Sequence, residues 1–241
     1  ARALVEARPQ WGAVLVDLRM HGRSQGFPPP HDLQAVAQDL VELEAHLKLP
    51  LQGVMGHSYG GKVALAYAAI RGPGLGRVWT LDSAPGARPG RQGSDSIARV
   101  LDSLRACPPR LQSRAEFQSR MTADGHPPGV AAWLAMNLER DEKGLRLRLD
   151  LDAIDAMLED YFARDLWPVL EGGDGPQRRS VVIAGQSEVW SPAAINRAEQ
   201  GAAARPNCLR VHRIPEAGHW LHVDAPSPLL DCLLSDLDAT P

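Results

Sequence analysis

The chain has 241 residues, with Lys and Arg totalling 26 against 29 Asp and Glu, for a net charge of −3. No strong positive field is available to hold nucleic acid or an anionic membrane, so neither is expected as a partner. Hydrophobic residues make up 44%, which excludes disorder over most of the length.

In chain order, residues 1–8 read as the end of a helix and carry charges where a signal peptide would need an apolar stretch. Residues 13–18, Ala-Val-Leu-Val-Asp-Leu, form an apolar run that suits a strand buried on both faces. A Gly- and Pro-rich loop, 19–30, follows. Asp32 opens a helix in which Leu33, Val36, Ala37, Leu40, Leu43 and Leu47 make an amphipathic stripe, stopped by Pro50. Residues 51–57 predict a second buried strand, 62–70 an Ala-rich helix closed by Gly72-Pro73-Gly74, and 77–82 a third strand. Helical patterns occupy 95–106, 110–123, 128–139 and 151–164 without a clear strand. Strands at 179–185 and 208–214 and a Leu-rich helix from Pro226 to Asp238 complete the pattern.

Strands alternating with helices predict an α/β fold, a mostly parallel sheet with helices on both faces. The expected organisation is a core of residues 1–87 and 169–241 interrupted by a helical cap insertion over 88–168. Cys107, Cys208 and Cys232 are odd in number and widely spaced, fitting neither a disulfide framework nor a zinc site. They read as free thiols of a soluble, intracellular protein. No run of about 18 apolar residues predicts a transmembrane helix.

Gly56-His57-Ser58-Tyr59-Gly60 sits between an apolar strand and an Ala-rich helix, the context in which Gly-x-Ser-x-Gly makes a sharp turn with an exposed serine. Glycines let the flanking backbones approach, and a helix N-terminus favours developing negative charge. The competing reading is a Gly-rich turn with an incidental serine. Serine needs a base. His219, directly after the 208–214 strand, is placed for that role. His57 is locked in the turn, His212 lies within a strand, His21 follows the first apolar run, and His222 falls on a helix or solvated face. Two carboxylates end strands on the same edge, Asp82 and Glu188, and the pattern alone does not separate them as the acid that orients the histidine.

These residues resemble the alpha/beta-hydrolase superfamily, whose order is serine, acid, histidine. Asp17-Leu18-Arg19-Met20-His21-Gly22-Arg23-Ser24 is similar to its Asp-x-Arg-x-His-Gly-x-Ser loop. Lys62 after Gly60-Gly61, Asp82-Ser83-Ala84-Pro85, and Asn137-Leu138-Glu139 followed by Leu147 to Leu151 resemble an esterase branch. That branch contains the YbfF-type esterases and the animal alpha/beta-hydrolase domain-containing protein 11 group. The resemblance implies a serine hydrolase of carboxylic esters or thioesters, with Ser58 as nucleophile, His219 as base and Asp82 as acid. It implies that the Tyr59 N–H forms half of the oxyanion hole and that Ser187 supports the histidine, with Glu188 as the alternative acid. It implies no cofactor and no metal, and a small-molecule acyl ester or thioester as substrate, and leaves the oligomeric state open. Trp133, Leu134, Met136, Leu145, Leu147, Met157, Tyr161 and Phe162 are candidates for an apolar acyl pocket or for plain core.

The superfamily's three strands and His-Gly oxyanion loop ahead of the Asp-x-Arg-x-His-Gly segment have no counterpart before residue 13. The expectation is an N-terminally truncated chain that is inactive or nearly so, with any organellar address ahead of Ala1. Rival readings are a ligand-binding protein without activity on the same fold, and a peptidase or C–C hydrolase on the same three residues.

Overall fold

The computed structural model describes residues 1–88, 95–172 and 176–238. They divide into two compact units, one of Ala1–Val16, Asp32–Pro89 and Asp160–Pro241, the other of Asp17–His31 and Gly90–Glu159. The sequence reading had placed 17–31 with the sheet and 160–168 with the insertion.

In the first unit, β1 (Gly53–His57), β2 (Arg77–Leu81), β5 (Arg178–Ala184) and β6 (Leu209–Ile214) form a sheet in the order β1-β2-β5-β6, with every pairing parallel. The expected strands therefore lie within two residues of those observed. All four run the same way, so their C-terminal ends share one edge, and the loops that follow them are gathered there. Helix α3 (Tyr59–Arg71) is buried continuously from Gly61 to Ala68, as its Ala-rich sequence requires, and packs on β1, β2 and α2 (Leu33–Leu47). Asp32 caps α2, its carboxylate accepting the Ala35 N–H at 2.7 Å. Helix α11 (Pro226–Asp238) lays Leu229 and Leu233 against Trp79, Leu81, Val182 and Ile214.

The run 13–18 does not form the expected strand. Residues 11–18 are unpaired and Leu15 is 83% exposed. A strand buried on both faces needs a ladder to join, and among the described residues β1 is paired only on its β2 side. Sequence reading also missed α8 (Trp167–Glu171) and α9 (Pro192–Ala204).

The second unit holds α4 (Asp95–Arg105), α5 (Arg114–Ala123), α6 (Pro128–Leu134) and most of α7 (Leu151–Ala163). It also holds an unpredicted antiparallel hairpin, β3 (Leu138–Asp141) with β4 (Gly144–Leu147). Its signal was present in the alternation of Leu145 and Leu147 with arginines and in Gly144, whose φ of +123° only glycine adopts readily. Leu104, Leu111, Phe117, Met121, Leu134, Leu138 and Leu145 form the core of this unit. Leu134, Leu145, Met157, Tyr161 and Phe162 are buried, whereas Trp133 and Met136 are exposed. No described helix is long and apolar enough to cross a membrane.

One buried pair ties α11 to the sheet. Asp236, 3% exposed, accepts Trp79 Nε1–H at 3.1 Å and His212 Nε2–H at 3.1 Å. The hydrogen bond to Asp236 raises the His212 pKa from 6.5 to about 9. A folded-state pKa above the unfolded one means stability that is complete below about pH 6.5 and lost as pH rises through about 9. The pKa change corresponds to about 3 kcal/mol. His212→Gln is therefore expected to lower stability much more at pH 6 than at pH 9.5. Denaturant melts at the two pH values test this, and an equal loss at both would show that the imidazolium is not what holds the pair.

Candidate active site

The close approach of β1 and α3 builds the turn that presents Ser58. A Cβ on Gly56 would lie 1.8 Å from the Gly60 carbonyl oxygen, and one on Gly61 would lie 2.3 Å from Ser83 Cβ. A Cβ on Gly60 would meet nothing within 4 Å. The second essential glycine is thus Gly61 and not Gly60, the one that completes the Gly-x-Ser-x-Gly pattern. Ser58 sits between strand and helix with φ 54° and ψ −118°, and its N–H is donated to Leu81 O at 3.0 Å. A left-handed backbone at a residue other than glycine costs about 1–3 kcal/mol and persists only where the surroundings impose it. Asp82, at the end of the neighbouring strand, has φ 42°. These two strained residues stand side by side at the C-terminal edge of the sheet.

Asp82 is fully buried. Its N–H is donated to Val182 O at 2.8 Å, and its Oδ1 accepts the Ala184 N–H at 3.3 Å. Its Oδ2 lies 2.7 Å from Nδ1 of His219, which follows β6. A carboxylate accepts, so Nδ1–H of His219 donates to it, and Nε2 is the ring nitrogen turned to other partners. The ring of His57, the residue before Ser58, is centred 4.5 Å from that of His219. Burial, together with His219 and His222 alongside, pushes the His57 pKa down to about 4, so this ring is neutral at ordinary pH.

The structure thus brings Asp82 and His219 into contact and sets both beside the Ser58 turn. No hydrogen bond joins the Ser58 hydroxyl to His219; such contacts are often long in unliganded enzymes and tighten with substrate. Glu188 is exposed beyond Gly185, and no hydrogen bond joins it to His219. Ser187 Oγ accepts the N–H of Val189 at 3.3 Å and makes no hydrogen bond to His219. Tyr59 is the first residue of α3, where N–H groups point out of the helix end. Among the described residues, no group of three or more His, Cys, Asp or Glu is placed to hold a metal ion.

Two residues next to the Ser58 turn are given no role by the sequence, although Lys62 marks the resemblance. One is His57, read only as locked in the turn. The other is Lys62, 1% exposed, whose ammonium donates to the carbonyls of Gly86 at 2.9 Å and of Tyr161 and Arg164 at 2.7 Å each. Burial lowers its pKa to about 8. Its signal was a lysine inside an otherwise apolar helix, in a chain with few lysines.

A strained serine between strand and helix, with a buried carboxylate after β2 and a histidine after β6, gathered on one edge of a parallel sheet, is the arrangement expected of an α/β hydrolase. The sequence profile described as the Alpha/beta hydrolase family matches residues 2–231, and the chain belongs to that family. It is 27% identical to the sn-1-specific diacylglycerol lipase ABHD11 of Mus musculus over 98% of this chain and 75% of that protein. It is 24% identical to Esterase YbfF of Escherichia coli strain K12, over 90% and 79% respectively. Among solved structures, one titled marine microorganism esterase superposes with a TM-score of 0.81 at 23% identity, covering 97% of this chain and 88% of that one.

The glycine geometry generates a test. Gly56→Ala and Gly61→Ala are each expected to cost several kcal/mol or prevent folding, because backbone or packed Cβ atoms would have to move. Gly60→Ala is expected to melt within about 1 kcal/mol of the parent, since alanine is the better helix former. Thermal melts of the three variants check this; a Gly60→Ala chain as damaged as Gly56→Ala would contradict it.

Proposed function

We propose that the protein is a serine hydrolase that cleaves carboxylic esters or thioesters of small acyl molecules through an acyl-enzyme. The observation that carries this reading is the 2.7 Å contact of Asp82 Oδ2 with His219 Nδ1, beside the strained turn at Ser58. The relatives named as an esterase and a lipase support it.

Ser58 Oγ attacks the acyl carbonyl while His219 Nε2 takes its proton. Asp82 fixes the tautomer that leaves Nε2 unprotonated and stabilises the imidazolium that results. The Tyr59 N–H at the start of α3 donates to the developing oxyanion. The imidazolium returns the proton to the departing alkoxide or thiolate. Water, activated by the same nitrogen, then attacks the acyl-serine, releasing the acid and regenerating Ser58. Asp82 is the acid in this reading because it is buried and bonded to the imidazole. Exposed Glu188 has neither property. Ser187 is assigned a supporting place beside the histidine loop, through the order of its own turn.

Ser58→Ala is expected to lower p-nitrophenyl ester turnover by about a thousandfold or more and to abolish labelling by a fluorophosphonate probe, with the fold retained. Asp82→Asn is expected to reduce turnover by about three to four orders of magnitude, because the amide favours the wrong imidazole tautomer. Glu188→Gln is expected to leave turnover within about threefold of the parent, as for a solvated side chain. Unchanged turnover in Ser58→Ala sinks the mechanism; a larger loss in Glu188→Gln than in Asp82→Asn overturns the assignment of the acid.

A further inference from the structure

His57 is the last residue of β1 and directly precedes Ser58. Its Nε2 lies 2.7 Å from the main-chain carbonyl oxygen of His219. A carbonyl oxygen only accepts, so Nε2 carries the proton and donates it. The ring also packs tilted against the His219 imidazole, 4.5 Å between centroids, and contacts the rings of Trp220 at 5.8 Å and His222 at 5.6 Å.

His219 lies between β6 and α10 (Leu221–Asp224), in a stretch that belongs to no strand ladder. Its neighbours have anchors of their own: Ala217 O accepts Gln186 N–H at 2.9 Å, and Gly218 N–H is donated to Asp224 Oδ2 at 3.0 Å. Asp82 grips the His219 side chain, which leaves the main chain of that residue to be fixed separately. A ring held only at Nδ1 still swings about its own backbone. A hydrogen bond to its carbonyl removes that freedom.

We propose that His57 is a positioning residue for the base: its Nε2–H holds the His219 main chain and its ring backs the imidazole, so the serine and its base are both referenced to the end of one strand. This rests on the reading of Ser58 as nucleophile and His219 as base. The arrangement needs a neutral donor. A cation at this distance would oppose the imidazolium that forms on His219 when it accepts the serine proton. An imidazole that stays neutral above about pH 4 supplies the donor without that charge. No atom of His57 touches the reacting bond. Its effect is on where Nε2 of His219 stands relative to Ser58 Oγ, and a displacement of about 1 Å in such a pair costs on the order of a hundredfold in rate.

The test compares three substitutions in the full chain, with rates expressed per serine titratable by a fluorophosphonate. His57→Leu keeps apolar bulk and loses the donor. His57→Gln carries an amide N–H at the reach of the imidazole Nε2. His57→Asn carries one that stops short. The expected result is a fall in kcat of about tenfold to a hundredfold for the Leu and Asn variants, with KM within about twofold, and recovery of most of the loss in the Gln variant. A purely structural role would lower the melting temperature while leaving kcat per titrated serine unchanged, and that result in the Leu variant overturns the proposal. Gln no better than Asn overturns it as well, and this comparison remains available if the Leu chain does not fold. Failure of the underlying reading is seen separately, as Ser58→Ala turning over ester at the parent rate.

Discussion

A carboxylate with no solvent exposure governs the arrangement of this molecule. Removing an ionised Asp from water costs several kcal/mol unless hydrogen bonds replace its hydration. Asp82 obtains them from two strands beyond its own: the Ala184 N–H at the end of β5 and the His219 imidazole after β6. The parallel order β1-β2-β5-β6 meets that requirement. In this order the serine turn, the carboxylate and the histidine loop end on one edge. The positive φ at Asp82 belongs to the same constraint, since the chain bends there to aim the carboxylate across the sheet.

The supports of the candidate site are graded by how far they lie from the His219 imidazole. Asp82 touches the imidazole, and His57 touches the backbone that carries it. Lys62 touches neither, yet its ammonium gathers the carbonyls of Gly86, Tyr161 and Arg164 around the first turns of α3. An ammonium among carbonyls with no carboxylate in contact is a partial compensation only, and its lowered pKa records the remaining desolvation. The helix that follows the serine is therefore anchored by polar bonds where its Ala-rich surface offers little shape to lock it.

Much of this was legible in the sequence. Asp32 announced the start of α2, and Gly-x-Ser-x-Gly between an apolar run and an Ala-rich helix located the turn. The choice between Asp82 and Glu188 was not legible from the pattern, because both follow strands. What separates them is burial at the strand end: Asp82 directly follows β2 and is buried, whereas Glu188 lies beyond Gly185, past the end of β5, and is exposed. The run 13–18 misled because apolar character reports a preference for burial and says nothing about an available ladder. The hairpin of β3 and β4 was passed over because two four-residue strands, one of them mostly charged, are outweighed by the helical stretches around them. The role of Gly61 was hidden by the motif itself, which draws attention to Gly60.

The connection between β2 and β5 carries a consequence for how the molecule forms. Val78 pairs with Arg179, about a hundred positions on, whereas β1–β2 and β5–β6 pairs such as Val54–Val78 and Arg179–Leu209 are separated by only about 25 to 30. Closing the longer loop costs only about 1 kcal/mol more than closing the shorter ones, so equilibrium stability hardly registers the insertion. Folding speed does register it, because distant pairings slow the approach to the transition state. Two locally closed halves, β1 with β2 and β5 with β6, can zip on their own, and the seam between them is the last part of the sheet to gain an entropic advantage. The partners of Asp82 lie across that seam. During synthesis Ser58 and Asp82 therefore emerge long before His219, and the 2.7 Å contact of Asp82 with His219 forms only when the two halves meet.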